Sequence, residues 1–290
     1  VTVPAAIVGL LIPPSHNMII YSAASGIGVS IGDLFMAGVL PGLLTGAMLM
    51  MTAWLVARRR NLPKGYFPGW LALTRAVAVA LPGLMTAIII MGGILSGIFT
   101  PTESSAIAVI YTILVGTLVY RSLGWDAFWG AARKSARTTA MVLFIIATAT
   151  AFGFALALLE VPAALASLIA VITDNPLLTL LIINIMLLVL GTFMDMAPLI
   201  VITTPIFLPV AMGVGVDPVH FGIIMMLNLG IGLVTPPVGS VLFVGSAVGK
   251  IPVTKLVRTI WPFYLTLIAA LALVTYVPFL SLWLPSVFAK

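Results

Sequence analysis

The feature that most limits what this chain can become is the length of its uncharged stretches. Those between Asp33 and Arg58, Arg75 and Glu103, Arg137 and Glu160, and Arg258 and Lys290 each exceed the roughly 20 residues that a helix needs to cross a bilayer. Shorter or interrupted runs lie between Asp174 and Asp195, Asp195 and Asp217, and Asp217 and Lys250. Only 7% of the 290 residues are charged and 62% are hydrophobic, against about 25% charged in a soluble domain. Such a chain has too little polar surface to cover itself in water. The expected fold class is an all-α polytopic membrane protein.

The net charge of +6 does not indicate nucleic acid, because the cations sit at the ends of apolar runs. They group as Arg58, Arg59, Arg60 and Lys64, as Arg133, Lys134 and Arg137, and as Lys250, Lys255 and Arg258. This is the placement expected of cytoplasmic loops. Cysteine is absent, so neither disulfides nor thiolate-bound metals are available. No signal peptide is recognisable, and Val1 opens inside an apolar segment, which predicts that residues preceding it are missing. From the charges, helix 34–57 exits into the cytoplasm and Asp33 lies outside. Segment 66–80, with Trp70 and Arg75, reads as an interfacial helix. Spans 81–98 and 101–120 follow, then a second interfacial segment over 122–137, then span 138–159. The predicted organisation is 1–57, 58–137 (spans with interfacial arms), 138–258 and 259–290 (a last span).

The chain contains a self-similarity. Gly9-Leu-Leu-Ile-Pro-Pro14 is matched by Gly232-Leu-Val-Thr-Pro-Pro237. Small-residue stretches follow, Ser22–Gly26 and Gly245–Gly249, and each copy then enters a long span with an early proline, Pro41 or Pro262. Asp33 after the first copy and Lys250, Lys255 and Arg258 after the second place their ends on opposite sides. One motif used in two orientations marks an inverted-repeat secondary transporter, and only the end of the first repeat is expected in this chain.

Each Pro-Pro pair removes backbone donors in mid-membrane, and the carbonyls released upstream find no water in hydrocarbon. A sodium ion is one partner for them, and an anion at the following half-helix is a partner for the free N–H groups. The alternative is a simple proline kink. Thr235, Ser15, Gly239 and Ser240 add hydroxyls or close backbone access at these points. Segment 177–213 predicts a re-entrant hairpin, with arms 177–193 and 205–213 around Asp195, Pro198, Thr203, Thr204, Pro205 and Pro209; the second broken helix spans 219–249. Asp195 is a functional candidate if it lies at membrane depth, and otherwise a loop or ion-paired residue. Asn228, one turn before Gly232, either ligates a cation or bonds between helices. Glu103 reads first as N-terminal chemistry with Thr100 as cap. His16 and His220 lack companions at metal-ligand spacing. No catalytic set or phosphate-binding loop is present, so an enzyme or an ATP-driven mechanism is not expected.

These residues resemble the large permease subunit of the tripartite ATP-independent periplasmic (TRAP) transporters over essentially the whole chain. The resemblance rests on Ile12-Pro-Pro-Ser15 with Ser30–Phe35, on Gly97–Glu103, on Gly191–Asp195 through Thr204–Pro209, and on Asn228 through Gly239. It implies an elevator-type transporter of the ion transporter superfamily in a bacterial inner membrane. It also implies sodium as coupling ion, a small membrane subunit and a periplasmic binding protein as partners, and a small carboxylate as substrate (a C4-dicarboxylate, sialic acid or another sugar or keto acid). Sodium candidates are then Gly9, Ile12, Pro13, Asp195, Thr203, Asn228, Gly232, Thr235 and Pro236. Substrate candidates are Ser15, Asn17, Thr204, Pro205, Gly239 and Ser240. With the first-repeat hairpin absent, one sodium site is expected to be incomplete.

Two rivals remain at this level: a stand-alone sodium/dicarboxylate symporter of the same superfamily, and a membrane scaffold or channel without coupled transport. The charge pattern makes a direct prediction. Single cysteines at positions 30 and 250 of this cysteine-free chain should label from opposite sides of the membrane. Labelling from one side removes the inverted repeat.

Overall fold

Lipid offers the backbone no hydrogen-bond partners, so a spanning segment must satisfy its own; among the described residues the regular elements are helical, without strands. The structure, a computed structural model, describes residues 1–61, 65, 68–161, 163, 164, 167, 168, 173 and 175–288, the side chains of Ala149 and Ala157 excepted. Lys64, Asp174, Lys290 and the beginning of the 66–80 segment lie outside them.

In chain order the helices are α1 (Thr2–Ala5), α2 (Val8–Leu11), α3 (His16–Ala24), α4 (Ile31–Arg59), α5 (Trp70–Leu95), and α6 (Pro101–Leu114), which ends in a π turn over Val115–Val119. Then come α7 (Trp125–Leu158), α8 (Pro176–Gly191), α9 (Met196–Gly213), α10 (Pro218–Leu233), α11 (Ser240–Gly249), α12 (Val253–Tyr276) and α13 (Phe279–Phe288). Six of these, α4, α5, α6 with its π turn, most of α7, α9 and α12, are long and apolar enough to cross a membrane. Helix starts follow local chemistry. Asn175 and Asp217 cap α8 and α10 through their side chains, each with proline next. Thr100 and Glu103 form a reciprocal capping box on α6, so Glu103 is occupied as a cap.

Two expectations need correction. The segments 66–80 and 81–98 are not separate helices: α5 runs unbroken from Trp70 to Leu95. Likewise 122–137 does not end before a new span, because α7 continues for 34 residues, about 51 Å at 1.5 Å per residue. No glycine or proline interrupts residues 131–140. Pro82 lies inside α5 without ending it, as transmembrane helices tolerate. Trp125, Phe128 and Trp129 do form one aromatic cluster, with ring centroids 5.6 to 6.0 Å apart.

The chain divides into two compact units, residues 57–141 and the remainder, with boundaries inside α4 and α7. In the first, α5 and α6 pack as a pair. The Tyr111 hydroxyl donates to the Pro82 carbonyl at 3.0 Å. In the second, helices α8, α9, α10 and α12 surround a core in which α10 is buried from His220 to Leu233.

Within that second unit the two Pro-Pro elements run antiparallel. Ile7 and Leu10 lie against Gly230, whereas Tyr21 lies against Gly222, and the Tyr21 hydroxyl donates to the Pro218 carbonyl at 2.7 Å. As one chain advances, its partner recedes. Both Pro-Pro bonds are cis. The first break bends the α1–α2 segment by 50° from α3. The repeat extends further than the sequence signals suggested. Thr45 donates to the Pro41 carbonyl and Thr266 to the Pro262 carbonyl, at 2.7 and 3.1 Å, and the Thr52 and Thr266 hydroxyls meet at 2.6 Å.

Close approach is bought by glycine at two places. Gly38 leaves room for the Leu11 carbonyl at the first break. A Cβ on Gly232 would stand 2.6 to 2.7 Å from backbone atoms of Gly191, so α8 and α10 touch through their main chains. Gly232→Ala should therefore force these helices apart, costing about 1–3 kcal/mol as overpacking does. Gly46→Ala, whose methyl would meet nothing nearer than Val8 at 3.7 Å, should be neutral. Thermal unfolding of the detergent-purified permease checks this, and equal midpoints for the two variants would refute the contact.

Candidate functional site

At the second break the backbone leaves regular helical bonding. Val234 N–H and Thr235 N–H turn back to the Ile231 and Gly232 carbonyls at 3.1 and 2.9 Å. Pro236 and Pro237 then offer no N–H at all, which frees the Leu233 carbonyl from its usual i+4 partner. Gly239 starts α11 in a left-handed conformation, φ +42°, which glycine adopts without penalty. A Cβ there would stand 2.9 Å from the Thr235 carbonyl oxygen and 3.2 Å from that of Leu233. Two main-chain oxygens thus approach one point beside Gly239, and the Leu242 Cδ1 methyl lies equally near it at 2.9 Å. The Thr235 hydroxyl donates to the Ile231 carbonyl at 2.7 Å, leaving its oxygen lone pairs available.

The hairpin reaches this break. Its arms are α8 and α9, and its tip is only residues 192–195. Gly239 N–H lies 3.5 Å from the Thr192 carbonyl, at the outer limit of a hydrogen bond. On its other flank, Asn17 of α3 donates its Nδ2 to the Met196 sulfur at 3.1 Å. The tip, through Thr192, and the first residue of α9, Met196, therefore touch the two broken elements. Asn17 is 2% exposed and Ser15, its neighbour at the α3 N-cap, 4% exposed. The Asn17 Oδ1 has no partner, and a thioether is a weak acceptor for its amide, so this side chain is under-satisfied next to the tip.

The remaining candidates distribute unevenly. Asp195 is exposed at the N-cap of α9 with no side-chain capping bond. Gly9 and Ile12 are exposed and Pro13 half-buried along the first break. Pro236 and Ser240 are exposed on the second, and Gly232 is committed to its contact with Gly191. Thr203, Thr204 and Pro205 are not at the tip as expected. They lie within α9, where Thr203 and Thr204 are buried and back-bond to the Leu199 and Ile200 carbonyls at 2.7 and 2.6 Å. Pro198 falls in the first turn of α9 and does not block helix formation there, which is why the second arm begins nine residues earlier than the prolines implied.

Asn228 makes an inter-helix bond through its amide nitrogen, while its buried Oδ1 has no partner. Its Nδ2 donates to the Asn184 carbonyl at 2.9 Å and to Asn184 Oδ1 at 2.7 Å. Asn184 in turn donates to Thr275 Oγ1 at 3.0 Å, and His220 Nε2 lies 3.3 Å from the Thr275 carbonyl. This buried chain ties α8, α10 and α12 together one turn below the Gly191–Gly232 crossing. Asn184 went unremarked in the sequence, although a lone amide between Ile183 and Ile185 is a signal, since polar groups in membrane helices seek partners on other helices.

Antiparallel broken helices joined at a hairpin tip, in a chain of membrane-spanning helices, define the plan of inverted-repeat membrane transport proteins. The comparisons agree with it. The family model of the tripartite ATP-independent periplasmic transporter, DctM component, matches residues 1–280, and the chain belongs to that family. It is 44% identical over 285 residues to the C4-dicarboxylate TRAP transporter large permease protein DctM of Pseudomonas aeruginosa, covering 97% of this chain and 66% of that protein. It is 40% identical to the sialic acid TRAP transporter large permease protein SiaM of Vibrio cholerae, over 99% of this chain and 67% of that one. To the 2,3-diketo-L-gulonate TRAP transporter large permease protein YiaN of Escherichia coli it is 36% identical, over 94% and 64%. The chain thus spans about two thirds of the length of these relatives.

The asparagine chain makes a stability prediction. Asn184→Leu removes the closer of the two acceptors of Asn228 Nδ2 and the amide donor of the Thr275 hydroxyl, while the main-chain carbonyl at 184 stays in place, and should cost about 0.5–1.5 kcal/mol. The double variant Asn184→Leu/Asn228→Leu should recover part of that loss, because both partners are then apolar. Unfolding midpoints in detergent measure this, and a double variant as damaged as the sum of the singles counts against the bond.

Proposed function

We propose that this chain forms the transport-domain-bearing part of a TRAP large permease that imports a small organic acid across the bacterial inner membrane, driven by sodium. The observation that carries the reading is the hairpin turn, which meets the second break where Gly239 N–H lies 3.5 Å from the Thr192 carbonyl, and meets α3, just after the first break, through Met196 at the start of α9 and Asn17. A movement of the turn would be felt at the second break and at α3 together. Among the described residues no three His, Asp or Glu side chains converge, and the oxygens offered at the second break itself are neutral. The carbonyls of Leu233 and Thr235, with the Thr235 hydroxyl, suit a monovalent hard cation. Asn17, Ser15 and the start of α11 at Gly239 and Ser240 are the groups offered to an organic anion, as amide, hydroxyl and helix N-terminus.

The names of the relatives, which cover C4-dicarboxylate, sialic acid and 2,3-diketo-L-gulonate permeases, support a small carboxylate without selecting one. Family membership supports a periplasmic binding protein and a small membrane subunit as partners, and an elevator movement of the unit that carries the breaks. A stand-alone symporter would transport without either partner, so reconstitution with and without them separates the two readings.

The sodium assignment is tested in the complete permease with its partners. Thr235→Ala removes one oxygen ligand while keeping the break. A ligand worth about 1.4 kcal/mol raises the sodium concentration for half-maximal uptake about tenfold. Pro236→Ala should do more damage by restoring a helical N–H to the break, and Asp195→Asn reports whether charge at the tip contributes. A plain kink predicts an unchanged sodium response in all three, and that result would leave the site without support.

A further inference from the structure

α12 packs along both halves of the second broken helix, α10 and α11, and brings one polar side chain to the break. Tyr264 is 5% exposed, and its ring is held edge-on by Trp261 with centroids 6.1 Å apart. The hydroxyl is buried beside the Thr235 side chain, yet it makes no hydrogen bond of ordinary geometry. A tyrosine hydroxyl in an apolar interior normally finds a partner, and an orphan next to a helix break calls for a reason.

The two hydroxyls are complementary. Thr235 has spent its proton on the Ile231 carbonyl and retains only acceptor capacity, whereas Tyr264 still has a proton to give. If Tyr264 donates to Thr235 Oγ1, the hydrogen bonds run in one direction, from Tyr264 to Thr235 to Ile231. One Thr235 lone pair then remains, on the same residue whose carbonyl faces the space beside Gly239.

We propose that Tyr264 is a positioning residue for the cation site of the second break. Its hydroxyl donates to Thr235 Oγ1 as the break closes on a monovalent cation and holds the remaining Thr235 lone pair on the ion. The proposal rests on the sodium reading of this break given above. It adds a residue from outside the broken helix and gives α12, which shares the buried Asn184–Thr275 link, a direct stake in cation occupancy.

The experiment uses the complete permease with its partners and compares Tyr264→Phe, Thr235→Ala and the double variant. Sodium concentration for half-maximal uptake and maximal rate at saturating sodium are both read. Tyr264→Phe keeps the ring against Trp261 and removes one oxygen, so the half-saturating sodium concentration should rise about threefold to tenfold with the maximal rate retained. The double variant should rise no further than Thr235→Ala alone, because Tyr264 acts through Thr235. Sodium-over-potassium thermal stabilisation of the purified protein gives the same ordering without transport. Tyr264→Met, a flexible apolar filler, stands in if the phenylalanine variant does not reach the membrane. A merely structural tyrosine lowers yield or maximal rate and leaves the sodium response where it was, which overturns the proposal. Additive shifts in the double variant overturn it too. If Thr235→Ala moves the sodium response and Tyr264→Phe does not, the sodium reading stands and only the role of Tyr264 falls. If neither moves it, both fall.

Discussion

Everything in this molecule answers to the cost of leaving a peptide group unpaired in hydrocarbon. That constraint makes the described regular structure helical, and it makes every interruption of a helix a place where something must replace the missing bonds. At the second break the chain spends what it can internally: two turn-like N–H bonds to Ile231 and Gly232 and one threonine hydroxyl to Ile231. The carbonyls of Leu233 and Thr235 are left converging beside Gly239. The candidate site is what this local bonding leaves over.

The tertiary contacts that frame the site are made by small or main-chain groups rather than by large side chains. Gly191 against Gly232, and Gly38 against the Leu11 carbonyl, let whole helices approach to backbone contact. Dispersion packing and polar bonds drive helix association in lipid, where apolar burial gives little. The Asn184–Asn228–Thr275 chain supplies the polar share. The Gly191–Gly232 crossing and the asparagine chain tie α8, α10 and α12 together, while the hairpin turn meets the second break through Thr192 and α3 through Met196.

Legibility in the sequence followed the physics of each signal. The Pro-Pro motifs were legible because proline acts locally, through a missing donor and a fixed φ. The hairpin was legible because Asp195 and its flanking prolines interrupt two apolar arms. Its tip was misplaced because Pro198 and Pro205 were read as breakers, whereas the first falls in an opening turn and the second is carried inside α9. The extra breaks expected near residues 80 and 137 failed for the converse reason. Charge and tryptophan mark depth in a membrane without interrupting helical bonding near residue 137, and near residue 80 even Pro82 is carried inside α5.

By itself the sequence determined the solvent, the helical class, the two breaks and their opposed orientation, since hydropathy, proline and charge each act over a few residues. Only the tertiary structure decided which groups meet. The antiparallel register of Ile7 and Leu10 against Gly230 and of Tyr21 against Gly222 could not be read from one chain. Nor could the commitment of Asn228 to Asn184, or the arrival of Tyr264 beside Thr235. Those pairings join residues far apart in sequence, and nothing local to either partner specifies the other. They are set by how whole helices pack, which depends on where glycine allows two backbones to touch.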